Sequence, residues 1–232
     1  DFVRTGKYLA SLQNPDGSFS PKTGAPANLN STSSAIRTLG FVKGSIPDVM
    51  ACIRYVRSCW VPGKGFAATP GGKPDVIVTA IGLMAAADLK IADKAMIRDS
   101  IAFFSTNAKS YEEVRMAIAG LEAVKTPSHD FPRWLKQIEE TRNAQGTFGE
   151  GASEAFASGG SAAAIRRMGM NVVHSDAIIA AIRKAQRPEG AWSKDDGPSD
   201  LSASYRIMRG MFMMGAKPDI PKLLGYIARC RK

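Results

Sequence analysis

The feature that most constrains the fold of this chain is a loop sequence that occurs twice. The chain reads LQNPDGSF at Leu12–Phe19 and AQRPEGAW at Ala185–Trp192, so both copies follow the pattern Gln-x-Pro-acid-Gly-x-aromatic. Gly17 and Gly190 permit a tight turn, and the proline of each copy ends the helix before it. A chain that repeats one local structure at such a distance is expected to consist of copies of one unit.

Two further glycine–aromatic loops indicate the length of that unit. The aromatic residues of the four loops are 47, 82 and 44 residues apart, and they are Phe19, Phe66, Phe148 and Trp192. The middle gap is close to twice the other two, which predicts one copy that has lost its loop. A period of roughly 40–47 residues is typical of repeat architectures.

Each copy has the pattern of two helices joined by a loop rich in glycine and proline. The sequence predicts one all-α domain of five helical hairpins over residues 1–44, 45–91, 92–127, 128–172 and 173–217, with a closing helix over 218–232. The second helix of each hairpin is rich in small residues, which permit close packing on both sides. We therefore expect an inner ring of second helices inside an outer ring of first helices. No alternating pattern is long enough to predict a sheet.

The loop residues are expected to serve the architecture. We expect Phe19 and Trp192 to fill the seam between neighbouring hairpins, and Gln13 and Gln186 to bind loop backbone groups near the helix ends. Three glycines are expected in the left-handed conformation just after second helices, and they are Gly40, Gly169 and Gly215.

Composition limits the classes of partner. Hydrophobic residues make up 44% of the chain and charged residues 22%, which is an ordinary globular balance. No apolar run approaches the roughly 20 residues that span a bilayer, so we expect no transmembrane segment. The net charge of +10 favours an anionic partner. The basic residues are scattered, and we therefore expect no nucleic acid.

The cysteine content and the identity of the first residue give information on the cellular compartment of the protein. Cys52, Cys59 and Cys230 are too few for a disulfide framework, and buried free thiols are typical of a reducing compartment. This favours the cytoplasm. The sequence starts at Asp1 without methionine, so we expect a trimmed N-terminus, and a removed signal peptide remains an alternative.

The loops carry a family resemblance. The segments LQNPDGSF, GKGFAATPGGKPDV, AQGTFGEG and AQRPEGAW resemble the prenyltransferase/squalene-oxidase repeat over nearly the whole chain. That resemblance implies an α/α toroid. The family includes β-subunits of protein prenyltransferases and, as paired domains, squalene and terpene cyclases. The length is nearer to the single-toroid β-subunit, which implies a small apolar or isoprenoid ligand and a partner subunit.

The resemblance also implies where a zinc site would lie. Such prenyltransferases bind zinc through a D-x-C motif and the histidine of D-x-x-H-T. On the first motif, Glu154 takes the position of the aspartate and Phe156 that of the cysteine. On the second, Asp200 matches the aspartate and Ala203 replaces the histidine. We therefore expect no zinc and no other cofactor, and any transferase activity would be zinc-independent.

Candidate site residues fall into two groups. The candidate catalytic residues are Asp200, Tyr205 and Glu154. Candidates for an anion are basic residues near or on predicted second helices, whose N-termini favour negative charge, and they are Lys73, Arg37, Arg166, Arg206 and Arg209. Ion pairing is the alternative role for the arginines. Large apolar residues of the second helices are expected in the core, some lining a pocket, and they are Met84, Met116, Phe156, Met208 and Phe212.

The sequence leaves three functions open, and with them whether the protein is an enzyme. The first is a prenyltransferase-like protein that binds an apolar or isoprenoid ligand, for example through a diphosphate head. The second is a non-catalytic scaffold or protein-binding toroid. The third is a terpene-cyclase-like or glycosidase-like enzyme. A glycosidase would use paired carboxylates such as Glu150/Glu154 or Asp195/Asp200. A cyclase would need the D-x-D-D motif, and the SKDD segment lacks its first aspartate.

Overall fold

The computed structural model describes residues 1–230, and these form eleven α-helices in hairpin order, which confirms the all-α prediction. The five hairpins are α1 Phe2–Ala10 with α2 Leu29–Phe41, α3 Val49–Ser58 with α4 Val76–Asp88, α5 Lys94–Asn107 with α6 Tyr111–Ala123, α7 Phe131–Glu139 with α8 Glu154–Arg167, and α9 Ser175–Lys184 with α10 Leu201–Met213. Helix α11 Ile220–Arg229 follows. The last two residues of the predicted closing helix, 231 and 232, lie outside the described residues.

A short antiparallel ribbon lies in the second hairpin. Strand β1 Trp60–Val61 pairs with β2 Gly65–Phe66, with Trp60 opposite Phe66. The expectation of no sheet is therefore wrong for these four residues. Strands of two residues are too short to show an alternating pattern in the sequence.

The helices group into two compact units. The first, Asp1–His129, holds three hairpins, and the second, from Asp130 onward, holds two hairpins and α11. In the first unit α4 packs between α2 and α6, and in the second α8 packs on α10. The second helices thus carry most of the contacts within each unit.

Small residues bring the second helices into close contact, as their composition predicted. A Cβ at Gly120 of α6 would lie 2.9 Å from the Cα of Ala80 on α4. A Cβ at Gly210 of α10 would overlap the carbonyl of Gly159 on α8. Backbone therefore lies directly on backbone in both pairs, and larger side chains at these positions would separate the helices.

All five second helices end in the same turn. The residue in left-handed conformation is a lysine after α2, α4 and α6 and a glycine after α8 and α10, with φ of 55°, 59°, 53°, 80° and 76° at Lys43, Lys90, Lys125, Gly169 and Gly215. The next N–H reaches back to the helix, as from Gly44 to the carbonyl of Leu39 at 2.9 Å. The predictions for Gly169 and Gly215 are confirmed. The prediction for Gly40 is wrong, because α2 continues to Phe41.

Candidate functional site

The four loops share one buried contact with the second helices. Each loop aromatic is buried, with an exposed fraction of 0 or 1%, which fits the predicted role of Phe19 and Trp192. Its backbone N–H donates to a hydroxyl group of the second helix that follows. These hydrogen bonds run from Phe19 to Thr32, from Phe66 to Thr79, from Phe148 to Ser158 and from Trp192 to Ser204, at 3.0, 2.9, 2.9 and 3.0 Å.

In three hairpins the hydroxyl residue lies four positions after the N-cap of its helix, and these caps are Asn28, Asp75 and Asp200. In the fourth hairpin, Ser158 lies four positions after Glu154, the first residue of α8, whose N-cap is Ser153. The side chains of Asn28, Asp75 and Asp200 cap their helices, and Asp200 accepts from the N–H of Ala203 at 2.7 Å. Glu154 instead accepts from the hydroxyl of Thr147 at 2.5 Å. Asp200 therefore occupies a capping position that recurs in other hairpins, and Glu154 is held by a local hydrogen bond at the start of its helix.

The loop glutamines connect each hairpin to the next one. The amide of Gln13 donates to the carbonyl of Asp48 at 2.8 Å, and the N–H of Asp48 donates back to Gln13 at 2.8 Å. Gln186 makes the same pair with Asp219, at 3.2 and 2.9 Å. It also donates to the loop carbonyl of Gly190 at 2.9 Å, as predicted. The reach to the following hairpin was not predicted, because it joins residues more than 30 positions apart.

The other two loops make the same connection with different residues. In the fourth hairpin, Arg142 donates to the carbonyl of Val173 at 3.1 Å. In the second, the N–H of Gly63 donates to the carboxylate of Asp99 on α5 at 2.7 Å. That hydrogen bond, aided by Arg98, holds the pKa of the Asp99 carboxyl below its usual range. We call these four interactions the inter-hairpin staples.

The positions aligned with the family's zinc ligands do not fit a zinc ion. The ring of Phe156 lies 4.0 Å from the guanidinium carbon of Arg206, and Ala203 is buried. Neither a phenyl ring nor a methyl group offers zinc a lone pair. Within residues 1–230, no group of three or more His, Cys, Asp and Glu side chains is arranged to hold a metal ion. The zinc-free expectation stays a prediction.

The buried cysteines are also unsuited to metal binding. Cys52 and Cys59 are buried free thiols on and just after α3. Burial raises the pKa of both thiols to about 11. They are therefore protonated at neutral pH, whereas a metal ligand or nucleophile needs the thiolate.

Helix α10 has an exposed face that combines aromatic and basic side chains. Tyr205, Met208, Arg209 and Phe212 follow the spacing i, i+3, i+4 and i+7 and share one side of the helix. Tyr205 is 52% exposed and Phe212 is 73% exposed. The prediction that Phe212 belongs to the core is therefore wrong. Its side chain lies on the exposed side of α10, near the C-terminal end of the helix.

Arg206 borders this face and is held in a defined place. A Cβ at Gly160 of α8 would lie 2.5 Å from both Nε and Nη2 of Arg206. The missing side chain of Gly160 thus makes room for the guanidinium, which stacks on Phe156. A glycine and an aromatic ring of α8 together orient a cation of α10.

The other cationic candidates lie elsewhere. Arg37 donates to the carboxylate of Asp88 at 3.0 and 3.1 Å, so ion pairing accounts for it. Arg166 binds Asn171 at 2.8 Å, beyond the end of α8. Lys73 is exposed in the loop before α4. The 13 residues of α4 span about 20 Å, so Lys73 and the Arg37–Asp88 pair lie at opposite ends of this helix.

Two cavities lie where neighbouring second helices end. One, of about 590 Å³, lies at the ends of α2 and α4, and its lining includes Arg37, Phe41, Ile46, Val49 and Leu89. The other, of about 550 Å³, lies at the ends of α8 and α10, and its lining includes Arg166, Asn171, Phe212, Met213 and Gly215. Each cavity is therefore lined by an arginine and by an exposed phenylalanine.

Three of the four carboxylates in the suggested pairs have local structural partners, and they are Glu154, Asp195 and Asp200. Glu154 binds Thr147, and Asp200 caps α10. Asp195 accepts from the N–H of Gly197 at 2.9 Å. These bonds hold the carboxylates within their own loops and helix ends, which disfavours a glycosidase-like role.

Comparisons with known proteins identify the architecture. The family model described as the prenyltransferase alpha-alpha toroid domain matches residues 3–123 and 100–232. No curated protein sequence matches the chain.

Solved structures agree at the level of the fold. The protein geranylgeranyltransferase-I of Candida albicans, complexed with GGPP, is similar with a TM-score of 0.75 and 13% identity, over 100% of this chain and 85% of that one. The Scytonema type II terpene cyclase MstE is similar with a TM-score of 0.65 and 13% identity, over 98% of this chain and 76% of that one. That cyclase was solved in complex with its substrate geranylgeranyl dihydroxybenzoate. The predicted α/α toroid is thereby confirmed, and the chain belongs to the family of the prenyltransferase alpha-alpha toroid domain.

Proposed function

We propose that this protein binds an isoprenoid-like ligand, a long apolar chain with an anionic head, along α10. The observation that carries the proposal is the exposed face of this helix, where two arginines lie beside Tyr205, Met208 and Phe212. Such a face suits a ligand that is charged at one end and apolar along the rest.

The head group is assigned to Arg206 and Arg209. They are three residues apart on α10, about one helical turn, and both are half-buried. Guanidinium groups bind phosphate oxygens through charge-assisted hydrogen bonds. Gly160 and Phe156 already restrict Arg206, which lowers the entropy lost when it binds an anion.

The apolar chain is assigned to Tyr205, Met208 and Phe212. Covering the exposed parts of these side chains removes apolar surface from water, at about 25 cal/mol per Å². The solved relatives with an isoprenoid diphosphate or a geranylgeranyl substrate share the fold and support the same class of ligand here.

Catalysis, if present, would proceed without zinc. Asp200 and Glu154 are engaged in structural hydrogen bonds, which leaves Tyr205 as the catalytic candidate closest to the proposed head group. The family relationship supports a partner subunit as well. The buried free thiols favour a reducing compartment such as the cytoplasm.

The proposal is tested by titrating the protein with geranylgeranyl and farnesyl diphosphate, with and without zinc, and following the thermal midpoint and the heat of binding. We expect saturable binding without zinc that the double variant Arg206→Gln/Arg209→Gln weakens at least tenfold. Arg183→Gln, an exposed change on α9, is the matched control and should bind as the wild type does. Geranylgeraniol, which lacks the head, should bind equally to the wild type and the double variant.

Absence of binding to either diphosphate, or binding that depends on zinc, would contradict the proposal. Absence of binding would favour a scaffold function, because the positions aligned with the family's zinc motifs are occupied by a helix start, an aromatic ring, a cap and a buried methyl group at Glu154, Phe156, Asp200 and Ala203.

A further inference from the structure

We propose that the first unit has a surface that docks on an anionic lipid bilayer, at the turn between α2 and α3. We define this surface, the corner patch, by five residues, and they are Phe41, Lys43, Val49, Met50 and Lys90. It lies in a different unit from the proposed ligand site and does not depend on that proposal.

The apolar part of the corner patch is unusually exposed. Phe41, the last residue of α2, is 71% exposed, and Val49 and Met50, the first residues of α3, are 46% and 61% exposed. These side chains come from within ten residues of the chain and surround one turn. Single apolar side chains projecting from a turn fit insertion between lipid head groups.

The basic part of the corner patch consists of two exposed lysines in an unfavourable backbone conformation. Lys43 and Lys90 are exposed in the left-handed conformation, which is unfavourable for side chains other than glycine. The chain uses glycine at the same position after α8 and α10, at Gly169 and Gly215. The two lysines lie next to the same cavity, because Phe41, Gly44 and Leu89 line it.

The charge around the corner patch is positive on balance. Helix α1 passes this turn at Gly6, where a Cβ would lie 3.6 Å from Val42, and it adds the exposed Arg4 and Lys7. Two nearby carboxylates have local partners. Asp48 accepts from the N–H of Ala51 at 2.8 Å, and Asp88 is paired with Arg37.

Charge complementarity therefore favours an anionic bilayer as the partner. Basic side chains near the bilayer surface are attracted to anionic lipids, and lysine can keep its charge at the head groups while its stem lies along apolar surface. Within residues 1–230, no helix is long and apolar enough to cross a membrane. The proposed contact is accordingly peripheral.

The test is co-sedimentation of the full chain with vesicles of phosphatidylcholine, with or without 30% phosphatidylserine. We expect binding to the mixed vesicles at 0.1 M salt, little binding to phosphatidylcholine alone, and release at 0.5 M salt. Each of Lys43→Gly and Lys90→Gly should weaken binding about fivefold. Phe41→Ser should weaken it about tenfold.

The glycine variants separate binding from folding, because glycine suits the left-handed position and the variants should melt no lower than the wild type. The control is Lys64→Gly, an exposed lysine in the β1–β2 turn. It is separated from the corner patch by the ten residues of α3, about 15 Å, and should bind normally. The proposal is overturned if the wild type does not bind the vesicles that contain phosphatidylserine, or if Lys64→Gly weakens binding as much as Lys43→Gly does.

Discussion

The two ends of the second helices differ in the structural feature that recurs from hairpin to hairpin. At the loop end, where the second helices start, a buried aromatic N–H donates to a helix hydroxyl in four hairpins. Each of these four loops also contacts the next hairpin through a staple, although the residues of the staple differ. At the corner end, where they finish, the backbone turn recurs five times while the residues around it change. Side-chain contacts that recur in the hairpins indicate a structural role. Residues that differ between hairpins indicate where a function specific to this protein is found.

Loss of a loop aromatic should have the largest effect on stability. Trp192 is 1% exposed, and its indole N–H donates to the carbonyl of Ile182 at 2.9 Å. Trp192→Ala should lower the free energy of unfolding by about 3–5 kcal/mol, measured by urea denaturation. Trp60→Ala, at a half-buried tryptophan, is the comparison. An equal loss of unfolding free energy in both variants would refute the prediction that the loop tryptophan contributes more to stability than Trp60 does.

Addition of a methyl group at the loop glycine should cause the second-largest loss of stability. Gly190 has φ of 98°, and a Cβ there would overlap the backbone of Lys222 on α11. Gly190→Ala should cost about 2–4 kcal/mol, the sum of left-handed strain and overpacking. Gly24 has φ of 77° but faces open space, so Gly24→Ala should show the strain alone. The difference between the two unfolding free energies measures the packing of loop on helix.

The staple of the second hairpin should depend on pH. Because the pKa of Asp99 is lowered in the folded protein, its contribution is present above the pKa of the unfolded chain and is lost as pH falls through the folded value. Asp99→Ala should therefore cost about 1.5–3 kcal/mol at pH 7, and progressively less as the pH falls below about 4. Arg98 is 75% exposed, so Arg98→Ala should cost under about 1 kcal/mol. A cost for Asp99→Ala that is unchanged in acid would contradict the charged hydrogen bond.

Removal of a single helix hydroxyl should have a smaller effect. Ser204→Ala leaves the buried N–H of Trp192 without its acceptor, which costs about 1–3 kcal/mol. Ser202, two residues earlier on α10, is exposed, and Ser202→Ala should change the unfolding free energy by less than about 0.5 kcal/mol. Equal effects at the two serines would mean that the repeated bond adds nothing to the fold.

The smallest predicted change in the unfolding free energy is at the corner end, and it is an increase rather than a decrease. Lys43→Gly should raise the unfolding free energy by about 0.5–1 kcal/mol, because glycine adopts the left-handed conformation without steric cost. The reciprocal change, Gly169→Lys, should lower it by a similar amount. Differential scanning calorimetry measures both, and a lower Tm for Lys43→Gly would show that the lysine side chain stabilises the turn.

Much of the fold could be predicted because the loops and helix patterns are local. Each of the eleven predicted helices is present. Helices α1 and α7 end before Gln13 and Arg142, because the backbones of these two residues pair with the loop aromatics Phe19 and Phe148. The hydroxyls four residues after Asn28, Asp75 and Asp200 were missed, although this spacing is visible in the sequence once the caps are known.

Less of the site could be predicted, because its contacts join distant residues. The sequence indicates that Arg37 lies on a second helix, but its partner Asp88 is 51 positions away. It likewise identifies Arg206 as a candidate without showing that Gly160 makes room for it. Phe212 has the spacing of a core residue, and only the structure shows that its side chain is exposed.

The distribution of the inter-hairpin staples has a consequence for how the protein unfolds. Of the five hairpins described, four have a loop that bonds to the helix that follows, whereas α5 and α6 are joined by only three residues, 108–110. The division between the units comes after that hairpin, at His129. We therefore expect unfolding in two cooperative steps, with amide hydrogen exchange reporting one rate class for 1–129 and another beyond it.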